Sequence, residues 1–326
     1  MRYLNAGPDA PAARISRIGL GTWQFGSREW GYGSSYAGQE AHAIVRRALK
    51  LGVTLFDTAE IYGYGRSERI LGRALGEDLA SVFLATKILP VLPLTPVVEQ
   101  RAVASANRLG ARHLDLYQMH QQNPFVRDGP AMRGMRALQR VGLVGEVGVS
   151  NYSLDRWRTA EAALGGPVLS NQVEYSLVER SPERDLLPYA EAQDRVIIAY
   201  SPLAQGLLSG RYHRDNLPAN RIRGVNPLFL PENVERAAEL IGVLRGVADG
   251  HGVTPAQIAL AWVIRSPAVT AIPGASSVEQ LESNVAAADI ELSDDEDQAL
   301  RAASDGFQPI TGRAAVPGLL RARLRR

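Results

Sequence analysis

Four residues of this chain have types and spacings that suit proton transfer: Asp57, Tyr62, Lys87 and His120. The stretch "LFDTAEIYGYGRSE" (55–68) sets an acid directly after an apolar pair and a tyrosine five residues later in a glycine-containing turn. Lys87 falls at the end of the apolar run "VFLATKI", and His120 ends "HLDLYQMH". A free phenol, with a pKa of ~10, is too weak an acid to protonate an alkoxide efficiently near neutral pH. An ammonium beside it favours phenolate and lowers that pKa, while a carboxylate keeps the lysine charged and aimed. The imidazole can hydrogen-bond a carbonyl oxygen and hold it within reach of the tyrosine. Such a set reduces a carbonyl once hydride is supplied, and since no side chain supplies hydride, a nicotinamide cofactor is implied. Taken singly, each residue has a structural alternative: a buried Asp57–Lys87 ion pair, a surface tyrosine, and a histidine satisfied by hydrogen bonds. Lys87 as a Schiff-base nucleophile is a further alternative, but the nearby acid favours a charged lysine over the neutral amine such catalysis needs.

The elements that must position these groups follow a βα rhythm. Strand-like runs occupy 17–25, 53–59, 82–88, 113–120, 146–152, 169–175, 196–203 and 269–275. Amphipathic stretches occupy 39–51, 67–75, 95–109, 131–141, 154–164, 184–193, 255–265 and 278–288. Strands that are continuously apolar suit a parallel sheet buried on both faces. Eight such units predict an α/β fold, a (β/α)8 TIM barrel. The competing doubly wound sheet would carry G-x-G-x-x-G after its first strand, and "GLGTWQFG" does not have that spacing. In a barrel the C-terminal strand ends carry the chemistry, which brings Asp57, Lys87, His120 and the loop residue Tyr62 over one mouth. The opening residues predict a β-hairpin across the other mouth, and Ser67 is the expected N-cap of the second helix. The arginine-rich segment 208–231 is too long for an ordinary connection and is expected to be a binding loop. One domain is expected over 1–326: a barrel at about 15–290, then one helix near 293–304 and a basic tail within 291–326.

Composition sets the broad class. A chain of 326 residues with 45% hydrophobic residues, 21% charged residues and a net charge of +2 reads as a soluble globular protein with no nucleic-acid partner. No apolar run approaches the ~20 residues that cross a membrane. The chain has no cysteine, which excludes disulfides and thiolate metal sites, and no metal is expected. The first residues lack the pattern of a secretory signal, so a cytoplasmic location is the expectation. Monomer and homo-oligomer are both left open.

A second constellation suits a cofactor. Ser150 and Asn151 end the fifth strand and Gln172 lies in the sixth, so three polar groups on adjacent strands can hold a carboxamide. Tyr200, at the end of the seventh, can stack on a planar ring. Ser201, Gly206 and Gly210 then let backbone approach phosphates.

With the motifs "LFDTAEIYGYGRSERILGRAL", "FLATKI", "LDLYQMH", "GEVGVSNY", "NQVEYS", "AYSPLAQGLLSG" and "IPGASSVEQLESN" in order, the chain resembles the aldo-keto reductase superfamily over nearly its whole length. The resemblance implies a (β/α)8 barrel that binds NADPH in extended form, with Asp57, Tyr62, Lys87 and His120 as the catalytic tetrad and Tyr62 as the general acid. It implies contacts from Ser150, Asn151 and Gln172 to the carboxamide and stacking from Tyr200. Further cofactor contacts are expected from Gly21, Thr22, Trp23, Asp57, Ser201, Leu203, Gln205, Gly206, Gly274 and Ser276, with Asn284 meeting the adenine. Many members place a lysine and an arginine around the adenosine 2′-phosphate where this chain has Gly274 and Gln280, which would suit NADH. The "IPGAS" form is instead most similar to bacterial reductases and potassium-channel beta subunits, which draw charge from the loop after strand seven. There Arg211 and Arg221 stand ten residues apart, so NADPH is preferred over NADH. Ser276 and Gln280 add hydrogen bonds. The expected substrate is a small-molecule aldehyde or ketone, sugar-derived or aromatic, in a pocket formed by Trp23, Trp30, Tyr62, His120 and Gln121, with Tyr64 a further aromatic at hand. "QQNP" after His120 departs from the aromatic or apolar residues of many relatives. The short polar C-terminal segment does not match the long apolar loop of steroid-binding members. The channel subunits suggest an alternative, a nucleotide-sensing regulatory subunit with little turnover.

Overall fold

The structure, a computed structural model, describes residues 1–5, 14–27, 35–218 and 221–324; Trp30 and the side chain of Arg221 lie outside the described residues. Two short strands, β1 (Tyr3–Asn5) and β2 (Arg14–Ser16), form the antiparallel ribbon expected at the start. Eight parallel strands follow: β3 (Leu20–Gly21), β4 (Leu55–Asp57), β5 (Phe83–Ile88), β6 (Leu114–Met119), β7 (Val144–Ser150), β8 (Ser170–Glu174), β9 (Val196–Tyr200) and β10 (Val269–Ala271). Each pairs with its sequence neighbour. A parallel bridge between Ile18 and Ala271 joins the first strand region to the last, with Gly19 N donating to Ala271 O at 2.8 Å and Ala271 N to Arg17 O at 3.0 Å. The sheet therefore rolls into a (β/α)8 barrel rather than staying open.

Apolar side chains separate into two layers. Leu55, Phe83, Ala85, Leu116, Leu169, Val196, Ile198 and Ile272 fill the barrel interior together with Ile15 of β2. Leu55, Phe83 and Val196 are the first residues of their strands. The hairpin thus plugs the N-terminal end of the barrel and leaves the C-terminal mouth to polar groups. The outer layer lies between strands and helices, which is why strands such as β5 are buried at every position.

The helices are α1 (Ser35–Lys50), α2 (Arg66–Leu75), α3 (Thr95–Leu109), α4 (Gly129–Arg140), α5 (Leu154–Leu164), α6 (Leu186–Ala192), α7 (Arg221–Gly224), α8 (Pro231–Arg236), α9 (Ala238–His251), α10 (Pro255–Val263), α11 (Val278–Ala286), α12 (Asp294–Gly306) and α13 (Gly312–Leu324). The bounds of α3 and α5 agree with the periodicity because their ends carry strong signals. Ser153 caps α5 through its side chain, and Gly110 and Gly165 end the two helices in the left-handed conformation.

Four differences have local causes. The run 17–25 contributes only Leu20–Gly21 as strand, and Trp23–Gly26 forms a 3-10 turn. Ser67 is not the N-cap of α2, which begins after Gly65. Its hydroxyl instead donates to Thr22 O at 2.7 Å and meets the hydroxyls of Thr22 and Thr58 at 2.8 and 3.0 Å. The long connection after β9 is followed by α8 and α9, elements beyond the eight-fold rhythm; α9 buries Leu240, Ile241, Leu244 and Ala248 along one stripe. The basic tail is helical as α13. Asn233 ties the segment before it to that loop, donating to Pro227 O and Ile310 O at 2.8 and 2.9 Å and accepting from Ile310 N at 2.7 Å. Among the described residues no helix is long and apolar enough to cross a membrane.

Two helical glycines should respond oppositely to alanine. Gly246 lies inside α9 with open space where a methyl group would sit, so Gly246→Ala is expected to stabilise by about 0.5–1 kcal/mol through the unfolded chain and helix propensity. A Cβ on Gly72 would stand 2.1 Å from Leu109 O, where α2 meets α3, so Gly72→Ala is expected to destabilise by about 3 kcal/mol. Urea midpoints that shift the same way for both variants would contradict this packing.

Candidate functional site

The four predicted proton-transfer residues converge. Asp57 is the last residue of β4, Lys87 lies one from the end of the neighbouring β5, and His120 follows β6. Lys87 Nζ donates to Asp57 Oδ1 at 2.6 Å, to Thr58 O at 2.7 Å and to Tyr62 OH at 3.2 Å. Lys87 and Asp57 are buried. The other Asp57 oxygen accepts from Gln172 Nε2 at 2.9 Å and Gln118 Nε2 at 3.4 Å. Tyr62 and His120 meet edge to face, with ring centroids 5.6 Å apart.

Backbone contacts place the Tyr62 loop. A Cβ on Gly26 would lie 2.4 Å from Tyr62 C, and one on Gly63 would lie 2.4 Å from Gly26 O, so two glycines let the 3-10 turn and the loop touch. On the far side Glu60 pairs with Arg101 and accepts from Leu89 N at 2.6 Å. Above the site is a cavity of about 380 Å³ lined by Trp23, Gly26, Ser27, Ile61, Tyr62, Gly63, Leu89, His120 and Gln121. Ser27, Ile61 and Leu89 were not singled out from the sequence, although Leu89 stands two residues beyond Lys87, where a barrel places pocket residues. Tyr64 is 88% exposed and is not part of that lining.

The second constellation also assembles, but several of its polar groups already hold one another. Ser150 Oγ donates to Gln172 O at 2.8 Å, Asn151 Nδ2 to Ser150 Oγ at 3.1 Å, and Tyr200 OH to Asn151 Oδ1 at 3.0 Å. After β9 the backbone turns left-handed at Ser201, Ala204, Gln205 and Gly206. Gly206 faces the guanidinium groups of Arg211 and Arg223 at 3.5 and 3.9 Å from a Cβ position, and Arg223 Nε donates to Gln205 O at 2.7 Å. Arg223 was not singled out from the sequence; it stands in the same "NRIRG" run as Arg221. Gln205 Oε1 is buried without a partner, and Leu203 packs on the core. The Thr22 hydroxyl is occupied by Asp57 O at 2.9 Å, and Gly21 approaches Ile272 O so closely that a Cβ would lie 2.6 Å away. Gly274 packs on Gln24; Asn284 Nδ2 donates to Gly274 O at 3.2 Å, and Gln280 Oε1 accepts from Ser276 N and Oγ at 2.9 and 2.8 Å.

The sequence profile described as "Aldo/keto reductase family" matches residues 17–305. The chain belongs to this family. An uncharacterized oxidoreductase of Mycobacterium bovis is 56% identical over 314 residues, 96% of each chain. An aldo-keto reductase from Klebsiella pneumoniae solved with NADPH is 29% identical with a TM-score of 0.76, and the match covers 92% of this chain and 94% of that one. A glycerol dehydrogenase from Gluconobacter oxydans is 28% identical with a TM-score of 0.83 over the same shares. The chain is an oxidoreductase of the aldo/keto reductase family.

Burial sets the charge states in this family member. Desolvation works against the Lys87 ammonium, but Asp57 and then Tyr62 outweigh it, and the amine is held above its ordinary value and stays charged. Tyr62 departs from the sequence expectation. Desolvation raises its phenol, and the opposing pull of Lys87 does not reverse the shift, so the net direction is up and the group stays protonated. His120 is pushed down to about 3, by burial first and by the Lys87 charge second, and its Nδ1 is buried without a partner. The imidazole is therefore neutral at physiological pH.

The His120 shift makes a stability prediction. Above the unfolded value of ~6.5 neither state binds this proton. As pH falls below that value the unfolded chain takes it up and the folded chain does not, so stability is lost progressively down to about 3. His120→Asn removes that loss, and its urea midpoint should fall less than that of the natural protein between about pH 7 and pH 4.5. Equal decreases in the two proteins would refute the neutral buried imidazole.

Proposed function

We propose that this chain reduces an aldehyde or ketone to the alcohol using NADPH, with Asp57, Tyr62, Lys87 and His120 as its catalytic groups. The observation that carries the reading is the charged Lys87 bonded at once to Asp57 and to a protonated Tyr62 in the wall of the cavity that His120 also lines. Bound NADPH supplies hydride to the carbonyl carbon. Tyr62 OH gives its proton to the carbonyl oxygen, and the Lys87 ammonium stabilises the phenolate left behind. Neutral His120 offers a hydrogen bond to that oxygen without competing as a charged acid. Asp57 keeps the lysine protonated and fixed. In the reverse direction the same phenolate accepts the alcohol proton.

The residues after β9 fit the cofactor. Half-buried Tyr200 offers a ring face, the left-handed residues Ser201, Ala204, Gln205 and Gly206 bend the backbone sharply after β9, and the buried Gln205 Oε1 lacks a donor. Arg211 and Arg223 place two positive charges beside Gly206; burial holds the Arg223 guanidinium below its ordinary value, and Arg211 adds like charge. The adenosine 2′-phosphate is a further anion that can offset that repulsion and that NADH lacks, which favours NADPH. Ser150, Asn151 and Gln172 are read as the carboxamide contacts. Trp23, Ile61 and Leu89 make part of the cavity apolar while Ser27 and Gln121 add hydrogen-bonding groups, which suits aromatic and sugar-derived aldehydes. We read residues 1–326 as one barrel domain. The complete lysine–tyrosine chain favours turnover over nucleotide sensing alone.

Tyr62→Phe separates chemistry from binding. Followed by NADPH absorbance against benzaldehyde and glyceraldehyde, kcat should fall by about 1,000-fold, the scale of general acid catalysis. The Kd for NADPH, read from tryptophan fluorescence, should be unchanged. Turnover that survives the substitution would remove Tyr62 as the acid.

A further inference from the structure

The loop between β6 and α4 reaches the proposed nicotinamide side through the side chain of Gln122. Gln122 Nε2 donates to the main-chain carbonyl of Asn151 at 2.6 Å, and its Oε1 accepts from Arg156 Nη1 at 3.4 Å. A carbonyl only accepts and a guanidinium only donates, so the two partners together fix which way the amide faces. Arg156 is itself held, by Asp128 Oδ2 at 2.8 Å and Oδ1 at 3.0 Å and by Asn123 O at 2.9 Å. At the other end Asn151 has φ 58°, a left-handed conformation that asparagine tolerates better than most non-glycine residues, so the groups bonded to it help decide whether it is kept. Its own side chain joins Ser150 to Tyr200.

We propose that Gln122 is a positioning residue for cofactor binding: by holding the Asn151 carbonyl it keeps that residue in its left-handed turn and so keeps Ser150, Asn151 and Tyr200 in one arrangement. The inference rests on the reading that these three groups meet NADPH. It gives the departure at "QQNP" a specific meaning. Gln121 lines the cavity, whereas Gln122 faces the neighbouring strand end and acts through Asn151.

Two substitutions in the full chain test it, with the Kd for NADPH, the KM and kcat values and the thermal midpoint of the ligand-free protein as readouts. Gln122→Leu removes the donor and leaves the Asn151 carbonyl unpaired, so the Kd and the KM for NADPH should rise about tenfold while the KM for the carbonyl substrate stays unchanged. Gln122→Glu restores an acceptor for Arg156, which keeps the introduced carboxyl ionised, but supplies no donor to Asn151. Its thermal midpoint should match or exceed that of the natural protein while its NADPH affinity drops as in Gln122→Leu. A merely structural glutamine predicts the opposite, with normal NADPH binding once the Arg156 contact is restored; that result, or a loss confined to the midpoint, overturns the proposal. If Gln122→Leu does not fold, Gln122→Glu decides. If the natural protein does not bind NADPH, the functional reading fails first and takes this proposal with it.

Discussion

The burial of one ammonium group is the constraint on which the site depends. Lys87 is 0% exposed, and a lysine head group has three donors and no acceptor. Three acceptors meet it: a carboxylate at 2.6 Å, a main-chain carbonyl at 2.7 Å and a phenol at 3.2 Å. Without them a charge at that depth would cost several kcal/mol, and the lysine would lose its proton or the barrel would open locally. Each acceptor sets a further demand. Asp57 must end the strand beside β5, Thr58 must turn its carbonyl inward, and the Tyr62 loop must approach the Trp23–Gly26 turn to a separation that only glycine permits. Ser67 Oγ, bonded to the hydroxyls of both Thr22 and Thr58, holds the three segments together.

The same carboxylate links two parts of the site that look independent in sequence. One oxygen of Asp57 serves Lys87, and the other accepts from Gln172 and Gln118. The group that keeps Lys87 charged therefore also orients Gln172, a side chain of the second constellation. A disturbance of Asp57 reaches both at once, because its two oxygens serve the two sides. The link from Gln122 to Asn151, between the ends of adjacent strands, adds a second connection at the rim.

Much of this was legible because strand ends and helix caps are local signals. Asp57, Lys87 and His120 each follow an apolar run, and a parallel barrel places such positions at one mouth. The stops at Gly110 and Gly165 mark their helix ends for the same reason: a left-handed C-terminal residue favours glycine wherever it occurs. Other features had no local signature. The 3-10 turn at Trp23–Gly26 continues an apolar run and looks like strand until the Tyr62 loop packs against it. Ser67 has the residue type and position of a cap, yet buried hydroxyls from two other segments compete for it. Arg223 has no local mark that sets it apart from other arginines of its loop, and only the folded chain places it beside Gly206.

The sequence by itself determined the family, the barrel and the residue types that gather at its C-terminal mouth, since these follow from the order and spacing of motifs along the chain. Only the tertiary structure decided the partners and the charge states. A hydrogen bond between Gln122 and Asn151, or between Gln172 and Asp57, depends on distances between segments far apart in sequence. The sign of the Tyr62 shift shows why charge cannot be read locally: an adjacent lysine predicts a lowered phenol, but desolvation sums over every atom that excludes water, and in the folded chain that sum is the larger.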